Sequence, residues 1–192
     1  RVPEMIWVKR RTSGTERDWM VYHKGLNGGT NPEQYGLVLN TSAAQVDDTA
    51  LWQDTAPSST HFTLGGSPST NSETIDYISM LFASVDGISK CGSYTGNGTN
   101  STTGDNTIAF GFQPRFVIMK NTQSNWTDWC TFDTVRGWSS SDTRRIFLNS
   151  SNAQSGVNNG YGYPTSTGMV LTGNGDGHTN SNNENYIYYA HA

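Results

Sequence analysis

The sequence predicts an all-β fold made of two tandem β-sandwich domains, and three observations carry this prediction. Charged residues are only 15% of the 192, while Gly, Ser, Thr and Asn are abundant, a composition that disfavours helices and favours strands and turns. Short apolar segments separated by Gly, Asn and Ser turns follow one another along the chain, as in sandwiches. The same landmarks also occur twice.

The internal repeat is visible as a nearly constant spacing between matching residues. The segment 3–9 matches 114–120 at an offset of 111 residues, and the later landmarks match at offsets of 110 and 109. These later landmarks are Asp18-Trp19 with Asp128-Trp129, Leu39-Asn40 with Leu148-Asn149, and Asp76-Tyr77-Ile78 with Asn185-Tyr186-Ile187. The repeat therefore predicts a first domain over residues 1–86 and a second over 87–192, each of jelly-roll or lectin-like type.

In the first repeat, alternating or continuous apolar residues predict five strands. Residues Ile75–Ala83 are apolar on both faces of the predicted strand, which is typical of a central strand buried on both sides. The segment Thr41–Trp52 is the best helix candidate, but we predict a loop with one helical turn there. The five predicted strands are 4–9, 19–23, 35–40, 60–64 and 75–84.

The second repeat is longer than the first, because two strands precede its Pro114. The segments 88–95 and 107–112 have no counterpart in the first repeat, which would expose a sheet edge there. We therefore expect another chain, or a segment upstream of Arg1, to cover the gap beside strands 4–9 and 75–84. The strands predicted for the second repeat are 88–95, 107–112, 115–120, 129–133, 144–149, 168–172 and 185–190.

The sequence contains no recognisable catalytic arrangement, so we predict that the protein is not an enzyme. Nucleophile-elbow, P-loop and dinucleotide-binding patterns are absent, and the four histidines form no metal-binding pair. Asp18 and Asp128 each precede a Trp in corresponding places, which indicates a turn hydrogen bond rather than an acid catalyst.

Metal and cofactor sites are likewise not predicted. Cys91 and Cys130 lack a CxxC partner, so a zinc cage is excluded; one bridge between them is open, but two buried thiols are favoured. The loop 173–177 resembles part of a calcium loop but lacks its alternating acidic ligands, so a tight turn is favoured there. A net charge of −4 disfavours nucleic acid as a partner, and no apolar run is long enough for a membrane span.

Aromatic residues in polar loops are the candidate binding residues. Flat rings among amides and hydroxyls suit glycan binding, and exposed aromatics equally suit a subunit interface. Both alternatives stay open for this set, which comprises Trp52, Trp126, Trp138, Tyr161 and Tyr163.

Several of these segments together resemble a known domain type. The segments 3–10, 18–26, 92–98, 111–120 and 186–190 are similar to a repeated domain of tailed-phage virion proteins, especially marine ones, found in tail fibres and other fibre-like proteins. The resemblance implies a non-enzymatic structural protein at a virion surface or outside the cell. It would self-associate into a fibre or homo-oligomer, contact other virion proteins, and attach to host cell-surface glycan. A free carbohydrate-binding module is the alternative, and a polysaccharide-degrading tailspike ranks below both.

Overall fold

The computed structural model describes residues 1–11, 17–99, 106–157, 161–173 and 177–192, and their regular structure is almost entirely antiparallel β. The all-β prediction is confirmed. Most of the loop compared above with a calcium site, residues 174–176, lies outside the described residues.

The first repeat forms a five-stranded sheet with the order β4-β3-β2-β1-β5. Two single-turn 3-10 helices, Leu26–Gly29 and Pro32–Gln34, join β2 to β3. A four-residue helix, α1 (Thr49–Trp52), follows β4, and its N-terminal cap is Asp48. The strands are β1 (Met5–Arg10), β2 (Met20–His23), β3 (Tyr35–Val38), β4 (Val46–Asp47) and β5 (Tyr77–Phe82).

The second repeat forms two sheets, one of six strands in the order β11-β10-β9-β8-β14-β6 and one of three in the order β12-β13-β7. Its first strands are β6 (Ser89–Thr95), β7 (Asn106–Ala109), β8 (Phe116–Asn121), β9 (Cys130–Asp133) and β10 (Thr143–Phe147). The others are β11 (Ser155–Val157), β12 (Tyr163–Thr165), β13 (Gly168–Leu171) and β14 (Asn185–His191).

The two large sheets have the same strand order once the sequence offset is applied. Strands β1 to β5 correspond to β8, β9, β10, β11 and β14, and both sheets place them in one order. The six-stranded sheet adds β6 beyond β14, and the described residues provide no such strand beyond β5. The order predicted from the repeat is therefore observed, and so is the difference between the repeats.

Conserved geometry between the repeats extends to side-chain hydrogen bonds. Asn149 accepts a hydrogen bond from the Trp129 amide at 2.8 Å and donates one to Asp128 at 2.6 Å. In the first repeat, Asn40 makes the same two bonds with Trp19 and Asp18, at 2.9 and 2.8 Å. The recurring aspartate is thus a structural group, but its partner is a distant Asn side chain and not its own backbone.

The apolar residues form three clusters, which alternate with the sheets. One cluster (Ile6, Val8, Met20, Tyr22, Leu51, Trp52) lies between the five-stranded sheet and α1 with its following loop. A second, the shared core, joins Met5, Val21, Leu26 and Leu37 of the first repeat to Cys91, Ile118, Trp129 and Ile187 of the second. A third fills the space between the six-stranded and three-stranded sheets. The boundary near residue 86 therefore divides the sequence repeats but not the hydrophobic interior.

The structure corrects three local predictions and confirms two others. Residues 60–64 are not a strand, and the short strands β4, β11 and β12 were not predicted. The strand predicted over 75–84 is β5, which lies at a sheet edge and not in the centre. The turn of helix predicted in 41–52 is confirmed, with Asp48 as its N-terminal cap. Cys91 and Cys130 are buried free thiols in different clusters.

Candidate interaction surfaces

The structure places the five predicted aromatic residues in three different environments. Trp52, Trp138 and Tyr161 are buried, so their predicted exposure is wrong. Trp52 donates its indole hydrogen bond to the Tyr35 carbonyl, and Trp138 to the Gly162 carbonyl, which satisfies their polar atoms inside the core. Tyr163 is half-buried in β12, and Trp126 alone of the five is exposed.

Trp126 lies on a loop that both repeats hold in place. Its side chain is 87% exposed, whereas the neighbouring Asn125 is tied to the first repeat. The Asn125 side chain accepts from the Ala44 amide at 2.9 Å, and its carbonyl accepts from the Ser42 hydroxyl at 3.0 Å. The Gln45 amide donates to the Thr122 carbonyl at 2.8 Å. The indole therefore stands on an anchored polar loop, which limits the entropy lost when a ligand binds.

The buried side chain of Lys120 forms hydrogen bonds that hold this loop in place. The Lys120 ammonium donates to the carbonyls of Asn121 (2.8 Å) and Ser42 (3.3 Å) and to the Thr127 hydroxyl (3.1 Å). Burial lowers the pKa of Lys120 to about 8, although Asp128 acts in the opposite direction. The three bonds join both repeats at one charged group, and sequence alone gave no signal for this burial.

The outer edge of β5 is the second candidate surface. Met80 and Leu81 are 40% and 53% exposed, and Ile78 is exposed to a similar degree. The corresponding residues of β14, such as Ile187 and Ala190, are buried. Aliphatic side chains on an open sheet edge are typical of a site where another strand pairs.

The backbone of β5 is also available for pairing. The Asp76 carbonyl accepts a hydrogen bond from the Arg11 amide, so the even-numbered residues of β5 face β1. Hydrogen-bonded pairs alternate along an antiparallel ladder, and the amides and carbonyls of Tyr77, Ser79 and Leu81 therefore point away from β1.

A pocket of about 250 Å³ lies beside this edge. Its walls include Arg1, Pro3, His61, Phe62 and Leu81, and its surface is mainly apolar. The edge and the pocket together form one continuous candidate surface, here called the β5 surface, because Leu81 belongs to both.

His23 is a buried titratable side chain that two hydrogen bonds hold in the interior. His23 donates from Nε2 to the Tyr188 carbonyl at 3.1 Å and accepts from the Gly25 amide at Nδ1, 2.9 Å away. This arrangement requires a neutral ring, and burial lowers the pKa of His23 to about 4. A carboxylate oxygen of Asp128, the residue that also accepts from Asn149, lies 3.3 Å from Nε2 of His178.

Acid should therefore destabilise the protein through His23. Its pKa is lower in the folded chain than the usual 6.5, so the unfolded chain binds the extra proton first as pH falls. Stability should decline between pH 6.5 and 4, by roughly 3 kcal/mol at the limit. Urea denaturation of the native protein and His23→Gln measures the difference. An identical pH dependence in both proteins contradicts the assignment.

The described residues contain no group of three or more His, Cys, Asp or Glu side chains positioned to hold a metal ion. Among the helices of the described ranges, none is long and apolar enough for a membrane crossing.

Comparison with known proteins supplies a family and no function. A family model described as "Domain of unknown function (DUF7483)" matches residues 1–192. The chain belongs to this family. No curated protein and no solved structure matches the chain. The DUF7483 match covers both repeats, the anchored Trp126 loop and the β5 surface as one unit.

Proposed function

We propose that this DUF7483 chain is a non-enzymatic structural and adhesive module of a virion or extracellular fibre, and that it attaches to host cell-surface glycan. The observation that carries the proposal is Trp126, an exposed indole on a loop fixed by hydrogen bonds to both repeats. An aromatic face beside amide and hydroxyl groups matches the apolar face and the hydroxyls of a sugar.

The assembly part of the proposal is supported by the β5 surface. A sheet edge with aliphatic side chains favours association, because pairing would satisfy its backbone groups and cover its apolar area. Weak glycan sites repeated along a fibre gain strength from avidity. We further propose that the repeats are variants of a lectin-like jelly roll, supported by the packing of a six-stranded on a three-stranded sheet.

A free carbohydrate-binding module is the second candidate, favoured by the same Trp126. The oligomeric state separates the two candidates, since a fibre subunit should associate in solution and a free module should remain monomeric. A polysaccharide-degrading tailspike is the least supported, because the paired aspartate positions Asp18 and Asp128 are both occupied in hydrogen bonds to Asn40 and Asn149.

Glycan-array binding of the full chain tests the adhesive part. We expect Trp126→Ala to weaken binding to the best glycan by at least about tenfold, as for truncation of an aromatic anchor, and Trp126→Phe to retain part of it. Val135→Ala is the matched control, because Val135 is also largely exposed but lies away from the anchored loop. Equal glycan binding by the native protein and Trp126→Ala would refute the assignment.

A further inference from the structure

The outer edge of β5 has no neighbouring strand among the described residues, whereas the equivalent edge in the second repeat has one. There, β6 pairs antiparallel with the outer edge of β14, with Tyr94, Gly92 and Lys90 opposite Tyr186, Tyr188 and Ala190. The offset of 109 places Tyr77, Ser79 and Leu81 at these three β14 positions. They are the residues whose backbone groups point away from β1.

Side-chain geometry confirms that this offset is the structural one. The Tyr77 hydroxyl donates to the Pro68 carbonyl at 2.8 Å and accepts from the Ser72 amide at 2.9 Å. The Tyr186 hydroxyl makes the same two bonds, with Gly177 and Ser181, at the same distances. The two strands therefore superpose in register, and they differ in having or lacking an outer neighbour.

The pocket beside β5 lies where the second repeat places β7. In that repeat, β7 pairs with β13, and Phe110 and Phe112 after it are buried in the adjoining core. The offset puts residues 59–62 at the position of β13, and residues 58–62 form one wall of the pocket. One missing strand pair thus accounts for both the open edge and the pocket.

The sequence of β5 also fits a covered strand better than an edge. Its residues are apolar on both faces, without the Lys, Pro or inward charge that usually protects an edge. The corresponding strand β14 has β6 as its outer neighbour and is largely buried, whereas β5 is largely exposed.

A second copy of the chain in its present fold is a poorer occupant. The edge of its β6 is already engaged, since the Ser89 amide donates to Val85 and the Cys91 amide to Ser84. Pairing of β5 with β5 of another copy would extend the sheet but leave the pocket at Phe62 unfilled. Only a strand pair matches both features.

We propose that the β5 surface binds a strand pair of the β6–β7 type, contributed by a repeat of this family that lies outside residues 1–192. The donor's first strand pairs antiparallel with β5, with the positions of Lys90, Gly92 and Tyr94 opposite Leu81, Ser79 and Tyr77. The aromatic residue at the position of Phe110, directly after the donor's second strand, fills the pocket, because the offset of 111 places Arg1 itself at the position of Phe112. This inference rests on the assembly part of the proposed function and is independent of glycan binding.

A synthetic peptide of residues 88–111, kept reduced, is the probe for the full-length chain, because it ends directly before the position that Arg1 occupies. We expect saturable one-to-one binding by calorimetry and a higher melting temperature in the presence of the peptide. Hydrogen exchange should slow at least about tenfold at the amides of Tyr77, Ser79 and Leu81. The amides of Ile78 and Met80, which already face β1, should change little.

Variants on both sides of the interface sharpen the test. Ser79→Pro removes an outward amide and should abolish binding, while Ser79→Ala, the matched control, should bind as the native chain does. Should Ser79→Pro fail to fold, the peptide variant Gly92→Pro carries the same test on the native chain. A peptide with Phe110→Ser should bind at least about tenfold more weakly, because it leaves the pocket unfilled.

Three results would overturn the inference. Absence of binding at about 100 µM peptide is the first, and protection spread evenly over odd and even residues of β5 is the second. The third is a dimer of the chain that the Ser79→Pro substitution dissociates but the peptide does not. That result would support assembly through β5 with a second copy of the chain as the occupant. If the chain is monomeric and does not bind the peptide, both the inference and the assembly part of the proposed function are overturned.

Discussion

Trp129→Ala should lower the free energy of unfolding by about 3–5 kcal/mol, and the loss should appear equally in probes placed in either repeat. Trp129 directly precedes β9 in the second repeat, and its side chain is buried in the shared core. Its indole donates to the carbonyl of Val38, in the first repeat, at 2.9 Å. Truncation therefore leaves a cavity between the repeats and an unpaired carbonyl.

Urea denaturation followed by Trp fluorescence and by hydrogen exchange measures this effect. Trp126→Ala is the matched control, because it removes the same side chain from an exposed position and should change stability by less than about 0.5 kcal/mol. A loss confined to the second repeat, with the first repeat unfolding as before, would contradict a common core.

Between pH 8 and 10.5, the free energy of unfolding of the native protein should rise by roughly 3 kcal/mol more than that of its Lys120→Met variant. The folded pKa of Lys120, about 8, lies below the usual 10.5 because burial disfavours the ammonium. In this window the unfolded chain holds a proton that the folded chain has released. Raising the pH therefore removes an energetic cost of folding, and the effect saturates above pH 10.5.

Other buried groups act with the opposite sign, which is why the variant is needed. Burial raises the pKa of Tyr22 and of Tyr188 to about 12, so both favour unfolding once the pH exceeds 10. These contributions are common to the native protein and Lys120→Met, and they cancel in the difference between two urea titrations. Parallel pH profiles for the two proteins would show that Lys120 keeps an ordinary pKa.

The repeat made it predictable that the two halves share one strand order, because the offset of 109 to 111 residues aligns their predicted strands one to one, but it did not reveal that order. The stacking of the two sheets was not predictable in this way. Residues such as Met5 and Ile187 alternate correctly for strands, but alternation does not reveal which other sheet a face will meet. Short strands with little apolar content, such as β4 and β11, left no periodic signal.

The candidate surfaces were predictable only in part. Polar neighbours suggested exposure for Trp52 and Trp138, yet a single hydrogen bond from each indole to a backbone carbonyl is enough to bury the ring. Trp126 has the same sequence context and remains outside the core. The gap at β5 followed from comparing the repeats, whereas the burial of Lys120 depends on loops from both repeats meeting in space.

The shared core has a consequence for how this protein can evolve. Residues such as Val21 and Ile118 come from different repeats and belong to one buried cluster, and close-packed interiors best tolerate volume-conserving exchange. Recombination that replaced one repeat with a diverged homologue would bring together two sides of the shared core that had not evolved to pack against each other. We therefore expect the two repeats to be inherited as a pair, and a gene that lengthens by duplication to gain them two at a time.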